Sequence, residues 1–290
     1  MRKTKLLLSI AALAISGWSS AALADDSGIG LHGFGDISLK TDYVTPRGLV
    51  VTTSGATIQV LNGLVLTTPM GVTFHAGTWV DLNPGFSRKD GNITAVNELD
   101  WFVGVDGNIA KNLNLGVEFS QFISGQPSVA FKRESNIEFA LKYSDNPTGT
   151  FSINPYAKLF WAVSSKSSTV VLGKAGKTFD VELGAVPTYK GKGFSLSAPT
   201  WVTVGPESYW GRGGSALTKP DGNVGVFSTG LKGAVPLSFL SSTGARASIY
   251  VQVQYYNLIN DNLLRAKGLL NSGASNRDHV VFATGLNFGF

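Results

Sequence analysis

The sequence predicts an all-β protein: a closed antiparallel transmembrane β-barrel of about 12 strands, residues 25–290, behind a cleaved signal peptide, residues 1–24. Three observations carry this. Polar and apolar residues alternate with period 2 over segments of ten residues or more. The links between segments alternate between short and long. The chain ends on phenylalanine in the middle of such an alternation, where most chains end in a polar tail.

The leader comes first in chain order. Arg2, Lys3 and Lys5 form a positive start, Leu6 to Ile15 a short apolar core, and Ala22-Leu23-Ala24 a small-residue cleavage site. Export is therefore expected, with the mature chain starting at Asp25. The absence of cysteine suits a fold that needs no disulfide in an oxidising compartment. Removing three basic residues takes the formal charge from +5 to about +2, so the high pI does not argue for nucleic acid.

Beyond the leader no apolar run approaches the roughly 20 residues of a spanning helix. The alternating segments lie near 33–44, 56–66, 71–82, 96–107, 111–122, 135–144, 150–163, 176–190, 194–204, 223–234, 246–256 and 278–290. In 111–122, Leu113, Leu115, Val117 and Phe119 oppose Asn114, Gly116, Glu118 and Ser120. In 135–144, Ile137, Phe139, Leu141 and Tyr143 oppose Asn136, Glu138, Ala140 and Lys142. A β-sandwich also has one dry face per strand, but its strands are usually shorter than the 9–11 residues of a tilted membrane strand. In 56–66 both faces are mixed, which leaves the direction of Asn62 open. Pro155 and Pro187 cannot donate to a ladder and imply bulges or displaced ends. The piece 168–173 reads as an extended hairpin above the membrane.

Short links at 67–69, 108–111, 145–149 and 190–193 belong on one side, and long links at 44–55, 83–95, 123–134, 164–175, 205–222 and 257–277 on the other. Short periplasmic turns and long outer loops give this asymmetry. The link 235–245 is longer than that rule wants. Aromatics near segment ends (Tyr43, Trp79, Trp101, Phe122, Tyr143, Phe151, Trp161, Tyr189, Trp201, Tyr255) are expected in the interfacial girdles. Closure must pair the last strand with the first, because hydrocarbon cannot hydrate an open edge. Lipid outside the closing strand then explains an apolar stripe of Val280, Phe282, Leu286, Phe288 and Phe290.

The same stripe resembles the C-terminal signal of bacterial outer-membrane barrels, which implies recognition of Phe290 by the barrel-assembly machinery. The stretch DISLKTDYVTPRG (36–48) is similar to the S-D-Y-x-x-R-G opening of the TorF family of porins, and GVTFHAGTWV (71–80) and NELDWFVGVDG (97–107) follow in similar order. Thr41 stands where that family favours serine, and one residue is added before Arg47. The resemblance implies an outer-membrane barrel of the bacterial envelope and no defined substrate.

Alternation assigns Asp36, Lys40, Asp42, His75, Asp81, Glu98, Asp100, Glu118, Glu138, Lys142, Lys158, Asp180 and Glu182 to the inner face as pore-lining residues, with Lys232 a further base. This acidic lining suits a narrow passive pore for small solutes, biased towards cations. Side chains that pair and fill the lumen would instead give a non-conducting barrel. The long links hold bases, among them Arg47, Arg88, Lys89, Lys132, Arg133, Lys166, Lys174, Arg212, Lys219, Arg265, Lys267 and Arg277, which could meet lipopolysaccharide phosphates or simply be solvated. Glu134 is counted with those links.

A surface hydrolase is the rival class. Closure would bring His279 near Asp42, a pair that could act as a general base. No serine lies in a G-x-S-x-G motif, and GRGGS (211–215) lacks the strand-to-helix setting of a phosphate loop. No enzyme activity, metal or cofactor is therefore expected.

Overall fold

The computed structural model describes residues 29–53, 55–83, 96–124, 133–164, 176–210, 222–243, 245–271 and 273–290. Twelve strands form the wall. They are β1 (Gly30–Lys40), β2 (Thr57–Thr67), β3 (Val72–Leu82), β4 (Val96–Ala110), β5 (Leu113–Ser124) and β6 (Arg133–Tyr143). Next come β7 (Phe151–Ser152 and Pro155–Ala162), β8 (Thr178–Ala185 and Thr188–Gly191) and β9 (Phe194–Ser197 and Thr200–Val204). Last are β10 (Val224–Pro236), β11 (Arg246–Leu258) and β12 (Asp278–Gly289). Each pairs antiparallel with its neighbour in sequence, and β1 pairs with β12 from Phe34↔Gly289 to Lys40↔Ala283, closing the barrel. The closing ladder continues to the last residue: Gly33 N donates to Phe290 O at 2.8 Å and Phe290 N to Gly33 O at 3.1 Å.

The prolines fall where the wall breaks. β7 is interrupted between Ser152 and Pro155, with Asn154 in the left-handed region at φ 50°. Pro187 lies in the break of β8. Neither proline then has to supply a ladder N–H in mid-strand. The long link after β10 carries a 3₁₀ turn, Ser238–Thr243.

Alternation has its intended meaning. On β6, Glu134, Asn136, Glu138 and Ala140 are buried, while Phe139, Leu141 and Tyr143 are exposed. The exposed apolar set recurs around the barrel (Ile37, Leu39, Leu64, Phe74, Val103, Leu183, Leu231, Val251, Phe282), a belt suited to acyl chains rather than water. Asn62 points outward into this belt, where Thr78 Oγ1 donates to its Oδ1 at 3.2 Å. Polar groups facing lipid are expected to pair with one another in this way.

The girdle expectation needs correction. Trp101, Tyr143, Phe151, Trp161 and Tyr189 are exposed on the outer surface. Tyr43, Phe122 and Trp201 are buried inside, and Trp79 turns inward with its ring 5.4 Å from that of Tyr43. These rings fill the lumen instead of marking the membrane interface.

Candidate functional site in the barrel lumen

The inner wall is built of charges held in small groups. His75 on β3 lies between two carboxylates, with Nδ1 2.8 Å from Asp106 Oδ2 and Nε2 3.0 Å from Glu118 Oε2. A cavity of about 10 Å³, enough for roughly one water, is lined by these three with Gly116, Glu138 and Lys142. Glu118 and Glu138 face each other across β5 and β6. Lys158 Nζ sits 3.8 Å from Glu138 and 3.9 Å from Glu182, and Tyr156 Oη donates to Glu182 at 2.8 Å. Asp81 accepts from Thr57 Oγ1 at 2.6 Å, Asn97 Nδ2 at 2.9 Å and Gln59 Nε2 at 3.0 Å. On the opposite wall, Tyr250 Oη donates to Asp36 at 3.0 Å and its ring carries Lys232 Nζ at 3.7 Å from the centroid. Lys40 follows Asp36 and Ser38 on the same inner face of β1.

These groups are packed against one another. Asp81 and Asp180 are 0% exposed and Glu182 1%, so water does not reach these three side chains in this conformation. Phe34, Leu61, Val65 and Phe102, with Trp79 against them, make an apolar cluster within the barrel.

The long-link end is capped. The link after β1 turns into the barrel as a hairpin pairing Tyr43 with Thr52 and Val44 with Val50. Gly48 N donates to Thr45 O at 2.9 Å, and Gly48 has φ 88°, where a side chain would be strained and would press on Val226 and Leu263. Two helices complete the cap: α1 (Glu207–Trp210) and α2 (Asp261–Leu270), the latter capped by the Asn260 side chain accepting from Asn262 N. Val44 and Val50 of the hairpin, Tyr209 and Trp210 of α1 and Leu263 of α2 pack with Trp201, Val226, Tyr256, Leu258 and Val281 of the wall. Hydrogen bonds tie the pieces: Trp201 Nε1 to Pro46 O at 3.0 Å, Asn271 Nδ2 to Val50 O at 3.0 Å, and Tyr43 Oη to Glu98 at 2.5 Å.

Three charges expected on solvated outer loops are shielded instead. The Arg47 guanidinium lies inside the barrel, 4.6 Å from the Phe160 ring centroid and 5.2 Å from that of Phe122. Glu134 belongs to β6 and is 3% exposed. Lys267 is buried in α2 and donates to Asn276 O at 2.7 Å, its burial lowering the ammonium pKa. Asp106 was missed, although it shares the parity of Glu98 and Asp100 on β4. Arg277 pairs with Asp261, and Arg265 Nη1 donates to Asn262 Oδ1 at 3.3 Å. Residues 1–24 and 168–173, the GRGGS stretch, and Arg88, Lys89, Lys132, Lys166, Lys174, Arg212 and Lys219 lie outside the described residues.

His279 Nε2 comes to 3.5 Å from Asp42 Oδ2, both half-shielded beside the cap. That nitrogen has no hydrogen-bond partner among the described residues. None of the described helices is long and apolar enough to cross a membrane.

A closed barrel, apolar outside and charged within, has the build of a porin-like outer-membrane β-barrel. No family model matches the chain. No curated protein matches it either. Among solved structures it is similar to the NanC porin at 10% identity, covering 89% of this chain and 99% of that one, with a TM-score of 0.49. A bacterial polysaccharide outer-membrane secretin is similar at 8% identity, covering 90% and 97%, TM-score 0.45. An outer-membrane channel from Pseudomonas putida F1 is similar at 10% identity, covering 91% and 96%, TM-score 0.44. No role is carried over from likenesses this weak.

Proposed function

We propose that the protein is an outer-membrane channel for passive diffusion of small solutes, resting in a capped state and favouring cations. One observation carries this: the barrel interior is charged along its length. Ten carboxylates (Asp36, Asp81, Glu98, Asp100, Asp106, Glu118, Glu134, Glu138, Asp180, Glu182) share it with Lys40, Arg47, His75, Lys142, Lys158 and Lys232. A barrel needing only stability gains little from such a filling, because apolar packing in place of a buried ion pair is often neutral or stabilising. Charges at this density suit a path that admits water and ions once the cap moves. The excess of carboxylates favours cations. On this reading, Asp36, Lys40, Asp42, His75, Asp81, Glu98, Asp100, Glu118, Glu138, Lys142, Lys158, Asp180 and Glu182 line the path.

Membership of the TorF family, suggested by residues 36–48, 71–80 and 97–107, accords with this role. Contact of outward loop bases with lipopolysaccharide and delivery by the barrel-assembly machinery through Phe290 belong to the same proposal.

Recording from refolded protein in planar bilayers under a salt gradient tests it. A reversal potential of cation sign supports the reading, and one of anion sign removes the selectivity. A second reading, a non-conducting barrel, is favoured by the apolar cluster around Phe102 and by the dry cap. Silence in the bilayer at all voltages, with the barrel folded, would establish it.

A further inference from the structure

We infer that the pocket holding Arg47 is a binding site for guanidinium-bearing organic cations, occupied at rest by the protein's own loop. The inference rests on the channel reading for its role, and on the local geometry for its chemistry.

Arg47 sits at the tip of the inward hairpin, in the turn closed by Gly48 N to Thr45 O, with Pro46 before it. Its guanidinium meets two ring faces, those of Phe122 on β5 and Phe160 on β7. Glu134 on β6 and Asp180 on β8 act on its charge from the wall between and beside them, and Glu98 and Asp100 on β4 do so as well. Asp180 is 0% exposed, and the groups that meet its carboxylate are Arg47 and Tyr209, both from the cap and neither from the wall. Asp100 Oδ1 has no hydrogen-bond partner among the described residues. These acids therefore have acceptor capacity that the wall does not use.

Aromatic faces and carboxylates together select a cation that is planar and weakly hydrated, which describes guanidinium better than sodium. The wall strands hold the rings and the acids, whereas the cation alone comes from a link. The hairpin, Tyr43–Thr52, forms its own two-stranded ladder between the end of β1 and the start of β2, so its withdrawal breaks no ladder of the wall. A withdrawn hairpin leaves two ring faces and the surrounding carboxylates, Glu182 included, without the Arg47 charge. A permeating organic cation then takes the place of the Arg47 head, and the tethered arginine competes with it as an intramolecular ligand.

The test uses the full mature chain refolded in detergent, with guanidinium chloride at low millimolar concentration as the probe and sodium chloride as the ionic-strength control. Calorimetry on Arg47→Ala is expected to show saturable guanidinium binding at least about tenfold tighter than in the unsubstituted protein. Adding Asp180→Asn in that background should weaken it about tenfold again. Equal uptake by Arg47→Ala and the parent, or indifference to Asp180→Asn, would overturn the inference. Should Arg47→Ala fail to refold, Arg47→Gln, which keeps the length and planar end of the side chain, carries the same two outcomes. Calorimetry needs no conduction, so a barrel silent in bilayers would sink the channel reading while the binding result still decides the cage.

Discussion

The ring of Phe290 lies over Gly33, in the space a β-carbon at Gly33 would occupy. Phe288 covers Gly35 one step along in the same way. The last strand thus meets the first through backbone bonds and through aromatic rings laid on glycines, a device that packs an otherwise bare stretch of sheet.

These two contributions separate by mutation. Phe290→Ala removes the ring and keeps the backbone pair to Gly33, so it should lower stability by about 1 kcal/mol. Deleting Phe290 also orphans the Gly33 N–H and C=O at a lipid-facing seam, where unpaired groups are more expensive, and should lower it by several kcal/mol. Urea unfolding of the refolded barrel, followed by its heat-modifiable gel mobility, measures both. Equal losses would show that the ring, rather than the ladder, holds the seam.

The wall was legible from the chain because its two solvents differ. Lipid outside and charge inside impose period 2 on every strand, and the residues of β6 can be sorted without knowing their partners. The same rule reaches Asp106 within the segment 96–107, and Glu134 once 135–144 is extended by one residue, since each shares the parity of the inward acids on its strand. The cap was not legible in the same way. Where Arg47 goes depends on Phe122, Phe160 and Asp180, which are far from it in sequence. The only local sign was the apolar run Gly48-Leu49-Val50-Val51 in a link that should have been polar. Inward rings misled for a related reason: an aromatic near a strand end suits a membrane girdle or a dry cap equally well.

Gly104 makes the room in which His75 meets Glu118. A β-carbon there would strike the imidazole and come within 2.8 Å of the Val117 carbonyl oxygen. Gly104→Ala should therefore displace the ring from Glu118 and lower stability by about 1–3 kcal/mol, the usual range for overpacking. His75→Ala in the Gly104→Ala background should recover part of that loss, because the ring is the group being displaced. Strict additivity of the two losses in a double-mutant cycle would show that the imidazole and Gly104 are not coupled.

Asp145 ties the turn between β6 and β7. Its carboxylate accepts from Asn154 N at 2.7 Å and from Ile153 N at 2.9 Å, and the side chain is exposed. The Asn154 amide holds the pKa below the ordinary carboxylate value, against an opposing effect of burial, and the Ile153 amide adds to the lowering. The folded state thus binds the proton less readily than the unfolded chain. The stabilisation is fully present above about pH 4, the unfolded value, and is lost as the pH falls through the lower folded one. Asp145→Asn, which keeps one acceptor oxygen and no charge, should weaken the turn at neutral pH and lose its difference from the parent in acid. Unfolding midpoints of both proteins from pH 7 down to about pH 2 measure this convergence. A gap that stays constant across that range would mean that charge has no part in holding the turn.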